Sequence, residues 1–170
     1  MVFIFGDEPL LVLEAADAVR DAARQLEFTD RQVFHAEKGF DYGDLRGAGQ
    51  SLSLFASRRL LDLRLPSGKP GKEGGAVISE IAGVADPDTV LLITSGKLDR
   101  STLNTAWVKA IDKAGLLVQC WPMRPNELPD WLDKRMRKAG LLPEPRVASL
   151  LAARVEGNLL AAKQEIENSP

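Results

Sequence analysis

Gly6, Gly71-Lys72 and Gly96-Lys97 are glycine-containing turns where a phosphate-binding loop could form. Such a loop follows the pattern G-x-x-x-x-G-K-[ST], because its backbone N–H groups and its lysine surround the phosphates. Gly6 has no second glycine and no lysine behind it, and Asp7 and Glu8 place negative charge where phosphate would approach. Gly71-Lys72 and Gly96-Lys97 both lack the first glycine of the pattern and a following Ser or Thr. We therefore expect no nucleotide hydrolysis by this chain.

Side chains typical of catalysis or metal binding are sparse. His35 is the only histidine and Cys120 the only cysteine, which excludes a zinc site made of these ligands. A lone histidine on a strand is more often structural than a general base, and Cys120 beside Trp121 is typical of a small core residue. No nucleophile-elbow motif and no paired-carboxylate motif occurs. The sequence therefore predicts no catalytic residue, no metal and no cofactor.

The run Ser51-Leu52-Ser53-Leu54-Phe55 is apolar where a connection between a helix and a strand is normally polar. Neighbouring Leu54 and Phe55 cannot both enter one core from a regular strand, because successive side chains point to opposite faces. Either Leu52 and Phe55 pack under the sheet as an i, i+3 pair, or Leu54 and Phe55 project from a helix end into a pocket of another protein. Composition alone favours the first alternative.

The strands and helices that position these residues are predicted by alternating patterns along the sequence. The apolar runs predict five strands, at Val2–Phe5, Arg31–Ala36, Arg59–Leu65, Thr89–Thr94 and Leu116–Trp121. Helices are expected from Pro9 onward and at Asp41–Gln50, Ala76–Val84 and Thr102–Lys113, with a flexible loop at Pro66–Gly75. Such alternation indicates an α/β layer with a mainly parallel five-stranded sheet.

The pattern changes at Pro122, the first of three prolines within eight residues. Beyond it the signals are helical only, at Glu127–Ala139, Pro145–Arg154 and Asn158–Ile166. We therefore expect an α/β domain at 1–122 and a small three-helix domain at 123–170. Because the last helical pattern has no closing element, the 170 residues are expected to be a fragment.

Composition limits the class of protein. The sequence is 45% hydrophobic and 27% charged, and 22 basic against 24 acidic residues give a net charge of -2. This balance is typical of a globular protein that does not bind nucleic acid directly. The N-terminus lacks a signal-peptide pattern and no run reaches about 18 apolar residues, so a cytoplasmic protein without membrane contact is expected.

Three runs resemble motifs of a known family, the delta subunits of the bacterial DNA polymerase III clamp loader. These are the runs Phe3 to Leu11, Ser53 to Arg59 and Glu156 to Leu160, which occur in the family's order. The resemblance implies a clamp-loader ATPase-like α/β domain with a degenerate nucleotide site, followed by a helical lid. It covers the family's first two domains, and the C-terminal collar domain is absent from these 170 residues.

The resemblance also implies a function. Peptides that bind the bacterial sliding clamp resemble Gln-Leu-Ser/Asp-Leu-Phe, from which the run Ser51 to Phe55 departs only at its first position. Leu52, Ser53, Leu54 and Phe55 are thus the expected clamp-binding residues, with Leu54 and Phe55 as the anchor. The implied role is to bind the clamp, the beta subunit, and to help open the ring for loading onto primed DNA during replication.

Other subunits are implied to complete this machine. ATP would act on gamma/tau subunits, and contacts with these and with delta prime would lie mainly in the collar domain. DNA would be contacted only indirectly. The chain would have no catalytic activity of its own within the holoenzyme, a DNA-directed DNA polymerase. The alternative is a small α/β nucleotide-binding protein or enzyme that uses the first strand-helix turn.

Overall fold

The computed structural model of the chain describes residues 1–51 and 57–169, which form two compact units. The first unit, Met1–Cys120, holds all five described strands, which are β1 (Val2–Gly6), β2 (Asp30–His35), β3 (Arg59–Arg64), β4 (Thr89–Ser95) and β5 (Leu116–Cys120). Its helices are α1 (Pro9–Gln25), α2 (Tyr42–Gln50), α3 (Gly71–Gly83), α4 (Arg100–Leu103) and α5 (Ala106–Ala114). The second unit, from Trp121 onward, contains α6 (Leu128–Lys138), α7 (Pro145–Val155) and α8 (Leu159–Glu167).

The sheet of the first unit has the strand order β2-β3-β4-β1-β5, and every neighbouring pair is parallel. Parallel strands need crossover connections, which are almost always right-handed. The chain moves one way along the sheet through α1 and the opposite way through α2, α3 and α5. Right-handed crossovers therefore place α1 on one face and the other three helices on the opposite face. The parallel five-stranded sheet predicted from the sequence is confirmed.

Alternation along the central strands divides the core between the two faces. Leu61 and Leu63 of β3 belong to the larger cluster, together with Val77, Ile78 and Trp107 of the helices opposite α1. On the other face, Leu60 and Ile4 pack with small residues of α1. Because both faces are covered near the middle of the sheet, β3 is a nearly continuous apolar run.

The predicted loop at Pro66–Gly75 is wrong in its second half, because α3 already begins at Gly71. Gly74 and Gly75 lie inside this helix for a packing reason. A Cβ on Gly74 would lie 2.5 Å from Cζ of Tyr42, and one on Gly75 would lie 3.2 Å from Cδ1 of Trp107. The glycines let α3 approach two aromatic side chains, whereas composition alone indicated a turn.

The single helix expected at Thr102–Lys113 is two helices, α4 and α5. Asp99 caps the first by accepting a hydrogen bond from the Thr102 N–H at 2.7 Å. Near its end, the Asn104 amide and the Thr105 hydroxyl donate to main-chain carbonyls of the preceding turn. Such side-chain bonds compete with the helical ladder, and the helix breaks here.

The second unit consists of three short helices, as expected from the sequence. Leu132 and Met136 of α6 are buried, and α6 packs against α7 and α8. The α7–α8 turn uses two left-handed residues, Glu156 with φ 48° and Gly157 with φ 83°. Asn158 then caps α8 by accepting a hydrogen bond from the Ala161 N–H at 3.0 Å.

No helix among residues 1–51 and 57–169 is long and apolar enough to cross a membrane.

Candidate interaction site

The predicted clamp-binding residues Leu52, Ser53, Leu54 and Phe55 lie outside the described residues. The structure does define the elements on either side of them. Helix α2 ends at Gln50 and strand β3 begins at Arg59. The end of α2 and the start of β3 are therefore at the amino edge of the sheet, opposite the edge where ligands of open α/β sheets bind.

Arg59 ties the two sides of this connection together. Its side chain is 7% exposed, and it donates hydrogen bonds to the Ala48 carbonyl at 2.8 Å and to the Thr89 hydroxyl at 3.1 Å. The first bond reaches the last turn of α2 and the second reaches the first residue of β4. The end of α2 is thereby fixed against the sheet.

Arg58 fixes the second flank of the connection. Its guanidinium lies 5.4 Å from the ring centroid of Phe28 and donates to the Leu26 carbonyl at 2.9 Å. It also pairs with Asp88 at 3.3 Å. These contacts fix the chain just before β3 against the connections that lead to β2 and to β4.

Apolar residues are exposed on the neighbouring connections. Leu26 is 60% exposed and Val84 is 65% exposed, in the connections that lead to β2 and to β4. These strands lie on either side of β3, so the two residues precede the two neighbours of β3 in the sheet. The cavity beside Val84, between α2 and α3, is about 60 Å³, which admits no more than a few waters.

The turn after β1, which the sequence singled out for phosphate chemistry, has a structural reason for its glycine. Gly6 adopts φ 155°, and a Cβ there would collide with the carbonyl oxygen of Cys120 on β5. Asp7 behind it is exposed. The glycine thus permits the close approach of β1 and β5, and the turn presents a carboxylate rather than a lysine.

The other two candidate residues are also placed. His35 is exposed at the end of the edge strand β2. Cys120 is partly buried at the end of β5, and this burial raises the pKa of its thiol. Within the described parts of the chain, no group of three or more His, Cys, Asp and Glu side chains is placed to hold a metal ion.

The structure reveals a charged cluster that the sequence reasoning missed. Asp62 is fully buried in β3 and accepts hydrogen bonds from Arg20 Nε at 2.9 Å and from Arg31 at 2.8 Å. Arg64 Nε lies 3.9 Å from the other carboxylate oxygen, and Arg20 also pairs with Asp17 at 2.8 Å. The available signal was one acidic residue inside the apolar run from Leu60 to Leu65.

The arginines decide the charge state of this buried carboxylate. Burial alone raises the pKa of Asp62, but the hydrogen bonds from Arg20 and Arg31 outweigh it and hold the pKa below its ordinary value. Asp62 is therefore ionised at neutral pH, accepts hydrogen bonds from two guanidinium groups and lies 3.9 Å from a third.

Solved structures with the same architecture define the class of fold. The Bacillus subtilis DNA clamp loader delta protein (YqeN) matches with a TM-score of 0.67 and 21% identity, over 98% of this chain and 51% of that one. The Thermotoga maritima RuvB Holliday junction branch migration motor matches with a TM-score of 0.64 and 17% identity, over 98% of this chain and 52% of that one. The fold is therefore the one shared by the matched halves of this clamp-loader delta protein and of RuvB.

Sequence comparison gives the family. The profile described as DNA polymerase III, delta subunit matches residues 3–121, and the chain belongs to this family. It is 30% identical to the DNA polymerase III subunit delta of Escherichia coli strain K12 over 164 residues, which cover 96% of this chain and 48% of that protein. The corresponding Haemophilus influenzae subunit is 26% identical over 165 residues, 95% of this chain and 48% of that protein. The chain thus spans about half the length of the curated relatives it matches.

Proposed function

We propose that this chain is the clamp-binding part of a clamp-loader delta subunit, with Leu54 and Phe55 as the anchor that enters a pocket of the sliding clamp. Leu52 and Ser53 belong to the same contact. The observation that carries the proposal is the family match over residues 3–121, a range that includes this run. The fixed flanks at Arg58 and Arg59 support it, because they hold both ends of the connection at one edge of the sheet.

Energetics support an anchor of this size. Burial of Leu54 and Phe55 contributes about 3–6 kcal/mol gross, at about 1.5–3 kcal/mol per side chain. Association costs offset part of this gain. Clamp binding favours an open ring only to the extent that contacts are better in the open form. Ring opening for loading onto primed DNA therefore needs contacts besides the anchor.

The chain acts by binding and not by catalysis in this proposal. ATP is used by gamma/tau subunits, and contacts with these and with delta prime are expected mainly in the other half of the relatives' length. DNA is contacted indirectly, and the process takes place in the cytoplasm.

A pull-down with the cognate clamp tests the anchor. The Leu54→Ala/Phe55→Ala variant should lose capture while its Tm stays near that of the wild type. The matched control is Leu142→Ala/Leu150→Ala, which removes apolar side chains that are 88% and 69% exposed. It should capture the clamp normally.

A peptide of residues 50–58 gives a second measurement that does not depend on the fold of the variant. It should compete for the clamp, and the same peptide with both alanines should not. Normal capture by the anchor variant, or a peptide that fails to compete, would contradict the proposal.

A further inference from the structure

The most exposed large apolar side chains of the first unit lie at the amino edge of its sheet. Among the described residues of this unit, Val84 is 65% exposed, Leu26 is 60% exposed and Leu116 is 57% exposed. Val84 follows α3 before β4, Leu26 follows α1 before β2, and Leu116 opens β5. Apolar side chains gathered on one exposed surface are typical of a site that binds another protein.

Leu26 is held beside the start of β3. The Arg58 guanidinium donates a hydrogen bond to the Leu26 carbonyl at 2.9 Å and lies 5.4 Å from the ring centroid of Phe28. The two main chains also meet here, because the Asp30 N–H donates to the Arg58 carbonyl at 3.2 Å. Leu26 therefore lies next to a residue that is only three positions after Phe55 in the sequence.

Val84 is held beside the end of α2. It lines the small cavity between α2 and α3 together with Gly49 and Gln50. The two helices are in close contact there, since a Cβ on Gly49 would lie 2.9 Å from Cγ1 of Ile81. Gln50 comes two positions before Leu52. Leu26 and Val84 therefore lie beside opposite ends of the predicted clamp-binding run.

A protein that holds the anchor must stand close to both ends. Leu54 is three residues from Ser51 and three residues from Ser57. Three residues of fully extended chain span at most about 11 Å. A standard interface buries about 800 Å² on each partner, which corresponds to a circular patch with a radius of about 16 Å. An interface centred on Leu54 therefore extends over the end of α2 and the start of β3.

The arginines at this edge already have acidic partners. Arg58 pairs with Asp88 at 3.3 Å, and Arg59 lies 3.8 Å from Asp86. A partner that covers this edge therefore gains mainly from apolar contact, and the apolar side chains available to it beside the run are those before β2 and β4.

We propose that Leu26 and Val84 form a second contact with the sliding clamp, in which an apolar part of the clamp surface beside the anchor pocket covers both side chains. This inference rests on the proposed function. The second contact adds to the affinity of Leu54 and Phe55, and it supplies an interaction of the kind that ring opening needs besides the anchor.

The dissociation constant of the Leu26→Ala/Val84→Ala variant for the cognate clamp tests this contact. Binding should weaken at least about tenfold, because two apolar side chains lose contact area. The Tm should stay near that of the wild type, since both side chains project into solvent. The control Leu13→Ala truncates a 45% exposed side chain on the same helix as Leu26, about 20 Å along it, and should bind normally.

Cross-saturation NMR measures the contact directly. The chain is deuterated with protonated methyl groups, and the clamp is fully protonated. Irradiation of the clamp should reduce the methyl signals of Leu26 and Val84 and leave those of Leu13 unchanged. An indirect effect of the substitutions on the anchor would change the affinity but would not transfer saturation to these methyl groups.

The outcomes separate this inference from the proposed function. Normal binding by Leu54→Ala/Phe55→Ala, or no binding by the wild type, would contradict the proposed function and the second contact with it. Weak binding by that variant, combined with wild-type affinity of Leu26→Ala/Val84→Ala or with no saturation of the Leu26 and Val84 methyl groups, would overturn the second contact alone.

Discussion

Asp62 carries a fully buried negative charge in the first unit. Its carboxylate is fully buried and is held by arginines from α1 and from β2. Removing one partner of a buried ion pair leaves the others uncompensated, which is more costly than never having formed the pair. Breaking the cluster therefore destabilises the fold, even if the cluster as a whole adds little to the free energy of unfolding.

Asp62→Asn should lower the free energy of unfolding by about 3 kcal/mol. This is the lower end of the range for broken buried ion pairs, because Arg31 and Arg64 are partly exposed to solvent. Urea unfolding at neutral pH measures this. The control Asp21→Asn breaks an exposed pair with Arg24 and should cost less than about 1 kcal/mol. Equal losses in the two variants would contradict the role of Asp62.

The same residue predicts a pH dependence. The folded pKa of Asp62 lies below its ordinary value of 3.8, so its contribution is fully present above that value and is lost as the pH falls through the folded pKa. The stability difference between wild type and Asp62→Asn should therefore shrink in acid. Urea unfolding at neutral pH and at about pH 3 measures the change. A constant difference across this range would show that the carboxylate charge is not responsible.

A separate prediction concerns the close packing at Gly6. Gly6→Ala should destabilise the chain by about 2–4 kcal/mol, because the new Cβ meets the Cys120 carbonyl and the positive φ is strained. Thermal unfolding measures the loss. Gly47→Ala is the matched control, since nothing lies within 4 Å of its Cβ inside α2, and it should gain about 0.5–1 kcal/mol. Equal stability of Gly6→Ala and the wild type would contradict the close approach of β1 and β5.

At the scale of elements, local pattern predicts most of the first unit because its strands are apolar runs and its helices carry apolar stripes. The deviations have tertiary causes. Gly74 and Gly75 lie inside α3 because aromatic side chains from α2 and α5 pack there. The Asp62 cluster joins residues 31 and 42 positions apart, so no local pattern reveals it. The clamp-binding run stays a prediction, since it lies outside the described residues.

The cap of α8 gives a prediction for the second unit. Asn158→Ala should cost about 1 kcal/mol, because it removes the acceptor for the Ala161 N–H. Hydrogen exchange of the α8 amides measures the loss locally. Glu144 stands at the N-cap of α7 without a side-chain hydrogen bond, so Glu144→Ala should have a smaller effect. If the two substitutions cost the same, the side chain of Asn158 is not the stabilising group.

At the scale of the whole molecule, the sheet separates two kinds of surface. The end of α2 and the start of β3, with Arg58 and Arg59, lie at the amino edge, and a cavity beside α1 lies at the carboxyl edge. The turn that would hold phosphate in a nucleotide-hydrolysing relative presents Asp7 instead of a lysine. In the proposed function, the clamp is bound next to the start of β3, at the amino edge.

The dissociation constant of this chain for its cognate sliding clamp, measured by isothermal titration calorimetry, tests the central claim most directly. Wild type should bind, and Leu54→Ala/Phe55→Ala should bind at least about 100-fold more weakly, which corresponds to about 3 kcal/mol of lost apolar burial. The two proteins should have the same Tm. Equal dissociation constants, or no binding by the wild type, would contradict the account.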